Sequence, residues 1–323
     1  MWIVRCFIQE DHSDRENSFL DLPPRSVYFV PCVISLESMS EKNDDYLLGV
    51  NKAELERLQY QHQVWKNVTD NFLDRLQIQK GWKCLDVGAG PGFVSLDLHD
   101  RVGEEGEITA LEPSEYFLSW LKSQSEQRGW KNIARINGTV EQAELPAEYF
   151  DFIFVRWVIA FVPDPVLFFA KLVRSLKPGG VIAFQDYYYE GLSLHPKGGA
   201  WDSMADTVRA YYRSAGGDPY IAGKIPEYFH EREITLIDFS PHQLAGGPSS
   251  EPMEWAHRFF ITHTQIIADK GIITQEQCDA YMHDWMLHRA NPLAIFFTPI
   301  VVDVAGRKRI AEEISLESRN VHA

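Results

Sequence analysis

The chain has 323 residues, 45% hydrophobic and 24% charged, with a formal net charge of −15. Such a composition provides a sizeable core, and the length fits about two domains or one α/β domain with insertions. So negative a field repels phosphate backbones, and the compact basic cluster Arg307–Lys308–Arg309 is too small to reverse it, so no nucleic-acid partner is expected. Cysteines Cys6, Cys32, Cys84 and Cys278 are scattered, with no CxxC pair and no histidine at ligand spacing. That pattern argues for a reducing compartment and against a metal. No apolar run approaches the roughly 18 residues of a membrane span. The apolar start Met1–Ile8 is short and interrupted by Arg5. Neither a membrane partner nor a secretory signal is expected, and the expected location is cytoplasmic.

Residues 1–38 contain Pro23, Pro24 and Pro31 and no sustained period, whereas Met39 opens a polar stretch of the kind that starts proteins. They are expected to be a poorly defined N-terminal extension, with an edge strand over Ser26–Leu36 as the alternative. Residues 39–80 are expected to form N-terminal helices covering the site. Asn51 and Glu54 make a capping-box pattern, and Leu55, Leu58, Val64, Trp65, Val68, Phe72, Leu73 and Leu76 mark an apolar face across one or two helices.

From Trp82 the pattern alternates. Strands are expected at Trp82–Val87, Glu107–Leu111, Ile133–Asn137, Phe150–Val155 and Val181–Gln185, with helices from Val94, over Tyr116–Gln127 and over Pro165–Leu176. Strands alternating with helices at this spacing predict a doubly wound, Rossmann-like α/β sheet with its strand C-termini along one edge, where ligands bind. Residues 81–190 form this core. Residues 191–310 are read as the rest of the sheet with an inserted helical lid. Its expected helices are Trp201–Ser214, Ile225–Arg232, Glu254–Asp269 and Thr274–Arg289, the last with a capping box from Thr274 to Gln277. Its expected strands are Ile234–Phe239 and Ile295–Val304. Residues 311–323 are a polar tail.

The chain is organised around Cys84–Val94, CLDVGAGPGFV, in which an apolar strand ends in a glycine turn and an amphipathic run follows. A dinucleotide fingerprint requires a third glycine at the sixth position, and Phe93 stands there. The order of the motifs is more specific than the turn. Asp86 lies near the end of the first strand, GxGxG follows, Glu112 ends the second strand, and then come FDFIFVRWVIAFVPDP and LKPGGVIAFQDY.

In that order they resemble class I S-adenosylmethionine-dependent methyltransferases, most of all the small-molecule branch that includes the ubiquinone and menaquinone biosynthesis enzymes. The resemblance covers roughly Tyr46–Asp186, and FFTPIVVDVAGRK (Phe296–Lys308) is similar to the family's final antiparallel strand. It implies a seven-stranded sheet with S-adenosylmethionine as cofactor. It places Gly88, Ala89 and Gly90 against the methionine part, with Asp86 orienting the turn and the ammonium. Glu112 would bind the ribose diol. Thr139 would stand where the family carries an acid and Val140 on the adenine, with Glu141 as a substitute acid. Arg156 would pair with the cofactor's carboxylate.

Methyl transfer is an in-line displacement that needs alignment and water exclusion more than acid–base machinery. The region after the fifth strand is rich in aromatic residues, which suits a flat apolar acceptor. Trp157 and Tyr187 lie just past strand ends and are candidates for acceptor contact, and Asp186 and Tyr187 for catalysis. A base, where needed, is sought among Asp186, His195, His257 and His263, with His263 also a substrate candidate. The expected function is methylation of a small, aromatic or polycyclic metabolite. The alternatives are a nicotinamide-dependent reductase and a catalytically silent cofactor-binding subunit of the same fold. A homodimer through the aromatic lid is a further expectation.

Overall fold

The structure, a computed structural model, describes residues 51–310. The expected extension at 1–38, its alternative edge strand and the tail at 311–323 lie outside the described residues. The first half comprises α1 (Lys52–Arg75), β1 (Lys83–Val87), α2 (Phe93–Val102), β2 (Glu107–Glu112), α3 (Glu115–Gln127), β3 (Ile133–Asn137), β4 (Phe150–Arg156), α4 (Pro165–Ser175) and β5 (Leu176–Tyr188). There follow β6 (Ser193–His195), α5 (Met204–Ser214), α6 (Ile225–His230), β7 (Ile234–His242), β8 (Ala245–Gly246), α7 (Glu251–Asp269), α8 (Gln275–Ala290), β9 (Ile295–Phe297) and β10 (Ile300–Lys308).

Seven strands form one sheet in the order β3-β2-β1-β4-β5-β10-β7. The first five are parallel, and β10 runs antiparallel between β5 and β7. This is the expected doubly wound, Rossmann-like sheet with a reversed last strand. The strand order turns back between β1 and β4, which leaves a crevice beyond their C-terminal ends. Residues alternate between two covered faces. Along β4, Phe152 and Phe154 enter one core and Ile153 and Val155 the other. The near-continuous apolar run follows from that double burial. One core takes Phe72, Val94 and Leu98 from α1 and α2. The other takes Phe168, Phe169 and Leu172 from α4 and continues without a break into the lid through Trp201, Phe260, Trp285 and Phe296.

Three expectations change. The apolar run Ile295–Val304 is two strands: β9 pairs with β6 and β8 in a separate three-stranded sheet, and β10 enters the main sheet. Pro299 lies between them and has no N–H to continue a ladder. Next, β5 does not stop at Gln185, because antiparallel pairing with β10 (Val302 with Asp186, Val301 with Tyr187, Ile300 with Tyr188) draws three more residues into the strand. Finally, α1 is one helix whose buried face is apolar only in its second half. Trp65, Phe72 and Leu73 are buried there, but Glu54, Arg57, Gln61 and His62 are buried in the first half. Asn51 does cap it, its side chain accepting from the Glu54 N–H at 2.9 Å, while the Glu54 carboxylate turns to Arg57 instead of closing the box.

The capping box of α8 is complete. The Thr274 hydroxyl accepts from the Gln277 N–H at 3.2 Å, and the Gln277 side-chain oxygen accepts from the Thr274 N–H at 2.9 Å. Thr274→Ala should lower the unfolding free energy by about 1 kcal/mol, with Thr274→Ser retaining most of it, as read from equilibrium urea denaturation.

Candidate functional site

The crevice opens into a cavity of about 580 Å³, and the glycine turn forms one side of it. Gly88 and Gly90 hold φ of +62° and +54°, the left-handed region where other residues are strained. A Cβ on Gly88 would lie 2.3 Å from Val158 Cγ2, so the turn and the loop after β4 pack backbone to side chain. A Cβ on Gly90 would meet nothing within 4 Å. With Gly90 lining the cavity, that open space is room for a ligand against bare backbone.

The carboxylate of Glu112, at the end of β2, fixes the turn. One oxygen accepts from the Gly90 N–H and the other from the Ser114 N–H, both at 2.9 Å. Asp86 accepts from the Ser95 hydroxyl at 2.6 Å. Both carboxylates are buried and line the cavity. Burial pushes Glu112 up from 4.5 to about 7 and Asp86 from 3.8 to about 6, against hydrogen bonds that pull each down.

Arg156 ends β4. Its guanidinium donates to Thr69 Oγ1 at 3.2 Å and to His62 Nδ1 at 3.1 Å, and sits 4.7 Å from the Trp157 ring centroid. Burial lowers its pKa to about 10, with the Asp86 and Asp97 charges opposing the shift. Beyond β3, Val140 is buried, and Thr139, Val140 and Glu141 all line the cavity. The Lys171 ammonium holds that loop by donating to the carbonyls of Val140, Glu141 and Ala143. Asp86, Gly88, Ala89, Gly90, Glu112, Thr139, Val140 and Arg156 thus surround one space.

Trp157 and Tyr187 also line it. Trp157 has a φ of +55°, uncommon for a bulky residue, and its indole stacks on Tyr187 with centroids 6.2 Å apart. Asp186 does not line the cavity. It lies in β5 at 0% exposure, where one oxygen accepts from the Tyr187 N–H at 2.8 Å and the other from Ile159 at 3.0 Å and Ala160 at 3.5 Å. A carboxylate so enclosed and engaged is out of place as a base for the acceptor. It braces the loop after β4. His263 is also absent from the lining: it is fully buried, stacks on Phe259 at 4.3 Å and donates from Nδ1 to the Phe259 carbonyl at 3.0 Å. Burial lowers it to about 4. Neither His195 nor His257 lines the cavity, and His257 Nδ1 accepts from Trp285 Nε1 at 3.1 Å.

The polar face of α1 contributes residues that apolar periodicity passes over. Arg57 makes two 2.7 Å bonds to Glu54 and donates to Gln61 Oε1 at 3.0 Å, and the same oxygen accepts from Trp255 Nε1 at 3.0 Å. Arg57, Gln61 and Trp255 line the cavity, as do Tyr189, Tyr212 and Phe161. The available signal was the i, i+3, i+7 spacing of Glu54, Arg57 and Gln61 on one helical stripe.

Residues 85–184, which include the glycine turn and Glu112, match the family profile described as a methyltransferase domain. The sheet order is Rossmann-like. The chain is similar to the demethylmenaquinone methyltransferases of Bacillus pumilus, at 29% identity over 122 residues (38% of this chain, 51% of that one), and Geobacillus stearothermophilus, at 31% over 120 residues (37% and 50%). It thus spans about half the length of these curated relatives. Its fold is similar to that of the YcgJ protein of Bacillus subtilis, with a TM-score of 0.51 and 18% identity over 75% of this chain and 98% of that one. These findings give no support to a nicotinamide-dependent reductase, in line with Phe93 at the position of the third fingerprint glycine. Among the described residues no helix is long and apolar enough to cross a membrane.

Two predictions follow from the buried carboxylates. The raised values of Glu112 and Asp86 mean that the native state binds more protons than the unfolded chain between about pH 4 and 7. Stability is therefore fully present at the acid end of that window and is lost as pH rises through about 6 to 7. Unfolding of ligand-free protein should show this decline, with Glu112 contributing up to ~3 kcal/mol, and Glu112→Gln should flatten it. Asp186→Ala, which leaves buried amides without an acceptor, should cost ~3 kcal/mol or more in the same assay.

Proposed function

We propose that the protein transfers a methyl group from S-adenosylmethionine to a small, flat acceptor with an aromatic or polycyclic body. The observation that carries this reading is one continuous cavity joining the glycine turn and its carboxylates to a chamber of aromatic side chains. The donor end fits a nucleoside with an amino-acid tail. Gly88, Ala89 and Gly90 offer bare backbone beside open space. Each Glu112 oxygen accepts one protein N–H and keeps lone-pair capacity for a ribose hydroxyl. Asp86 offers a carboxylate for the ammonium, Arg156 a half-buried cation for the carboxylate, and Thr139 and Val140 a wall for the adenine. When bound, S-adenosylmethionine supplies an electrophilic methyl group on a sulfonium.

The chain's own task is alignment and exclusion of water. Trp157, Phe161, Tyr187 and Phe259 provide faces against which a flat acceptor packs. The cavity's carboxylates, Asp86, Glu112, Glu141 and Asp164, come from β1, β2 and the loops after β3 and β4, and among the described residues no histidine lines it. Positioning, rather than a dedicated lid base, therefore accounts for the rate in this reading. Asp186 contributes by holding the loop that carries Trp157 and Val158. α1 acts as a cover, residues 81–190 as the donor-binding core and part of the acceptor wall, and 191–310 as the rest of that wall.

Thermal-shift titration tests the reading against the reductase alternative. S-Adenosylhomocysteine should raise the melting temperature, and NADH should not. By calorimetric titration, Glu112→Gln should weaken S-adenosylhomocysteine at least about tenfold. Stabilisation by NADH, or none by S-adenosylhomocysteine, would overturn the proposal.

A further inference from the structure

Three tyrosines close part of the aromatic chamber. Tyr187 is on β5, Tyr189 directly follows that strand, and Tyr212 is in the last turn of α5. Their rings form a closed triangle, with centroids 5.4 Å apart for Tyr187–Tyr189, 6.3 Å for Tyr187–Tyr212 and 5.4 Å for Tyr189–Tyr212. Each is held from outside the triangle. Tyr187 stacks on Trp157, and Tyr212 stacks on Phe161 at 4.8 Å. The backbone of Tyr189 donates to the Pro219 carbonyl at 2.9 Å and accepts from Arg209 at 3.1 Å.

The three are only 7%, 6% and 5% exposed, and all line the cavity. Among the described residues, none of their hydroxyls has a hydrogen-bond partner, and none is among the fully enclosed polar atoms. Each hydroxyl therefore keeps some accessible surface, on a residue that lines the cavity. Buried Tyr281 keeps to the usual rule that a buried hydroxyl finds a partner, pairing with Ser203 at 2.9 Å and Thr207 at 3.1 Å. Burial pushes the phenols of Tyr187, Tyr189 and Tyr212 up, so all three remain O–H donors across the ordinary pH range. The nearby Gln61 oxygen, by contrast, already accepts from Arg57 and Trp255.

We infer that Tyr187, Tyr189 and Tyr212 together select an acceptor with a hydrogen-bond-accepting oxygen on its aromatic body, and orient it by donating to that oxygen. This rests on the methyl-transfer reading and assigns the determinant of acceptor choice within it. Aromatic walls alone separate flat molecules weakly, whereas a buried donor set left unpaired discriminates strongly against an analogue lacking the oxygen.

The test uses protein saturated with S-adenosylhomocysteine and two probes of nearly the same shape, 1-naphthol and naphthalene, titrated by calorimetry. The expected result is binding of 1-naphthol at least about tenfold tighter than naphthalene. In the Tyr187→Phe, Tyr189→Phe, Tyr212→Phe triple variant that ratio should fall towards one while S-adenosylhomocysteine affinity stays at the wild-type level. The single variants Tyr189→Phe and Tyr212→Phe should each lose part of the preference. Equal affinities in the wild type, binding of neither probe, or a preference that survives in the triple variant would each overturn the assignment. Failure of S-adenosylhomocysteine to bind the wild type would instead remove the reading beneath it.

Discussion

A backbone leaving a sheet loses the ladder partners of its amides, and a covered strand edge cannot return them to water. Side-chain carboxylates at the C-terminal ends of the strands supply the missing acceptors here. Glu112 takes the amides of Gly90 and Ser114, and Asp186 takes those of Tyr187, Ile159 and Ala160. Each carboxylate ties its own strand to a loop from elsewhere in the sequence. The glycine turn is thus set against β2, and the loop after β4 against β5. Those two ties set the walls of the cavity at the ends of β1, β2, β4 and β5.

The cover over the cavity is anchored just as specifically. Thr69 of α1 accepts from Arg156 and donates to Gln185 at 2.7 Å, Gln185 donates to Asp303 at 2.7 Å, and Asp303 in turn meets Arg75 at 3.0 Å and His242 at 2.8 Å. Four strands and one helix share this chain of polar contacts. Polar groups as buried as these are costly unless paired, so the chain permits one register of α1 on the sheet. Arg156, which lines the cavity, and the helix that packs against it are positioned by the same residues.

What was legible in the sequence was local. The alternating strands, the glycine turn, Glu112 and the Thr274 capping box are each set by a few neighbouring residues, and each is where it was expected. The misreadings were non-local. Asp186 was taken to stand past a strand end, but the end of β5 is decided by β10, more than a hundred residues later. His263 shares a helical face with Phe259, which lines the cavity, yet it is enclosed by that same ring. The polar half of α1 went unread because hydrophobic periodicity scores the leucines beside it; the i, i+3, i+7 spacing of Glu54, Arg57 and Gln61 puts them on one stripe but does not say that the stripe faces inwards. Among so many aromatics, the tyrosines with unpartnered hydroxyls differ from packing tyrosines only in three dimensions.

The position of β10 bears on the order in which the sheet can be assembled. β7 touches the main sheet only through β10, which is made some sixty residues later and inserts between β5 and β7. Until Ile300–Lys308 is available, β5 has an open edge and β7 has no neighbour in the sheet. In the finished fold β7 still presents Leu236, Ile237 and Phe239 at more than 40% exposure. A nascent chain halted before Ile300 would hold a five-stranded sheet with an unpaired border, plus a detached apolar strand able to pair with it in the wrong register. Synthesis of this chain therefore has a vulnerable interval that closes only when β10 docks.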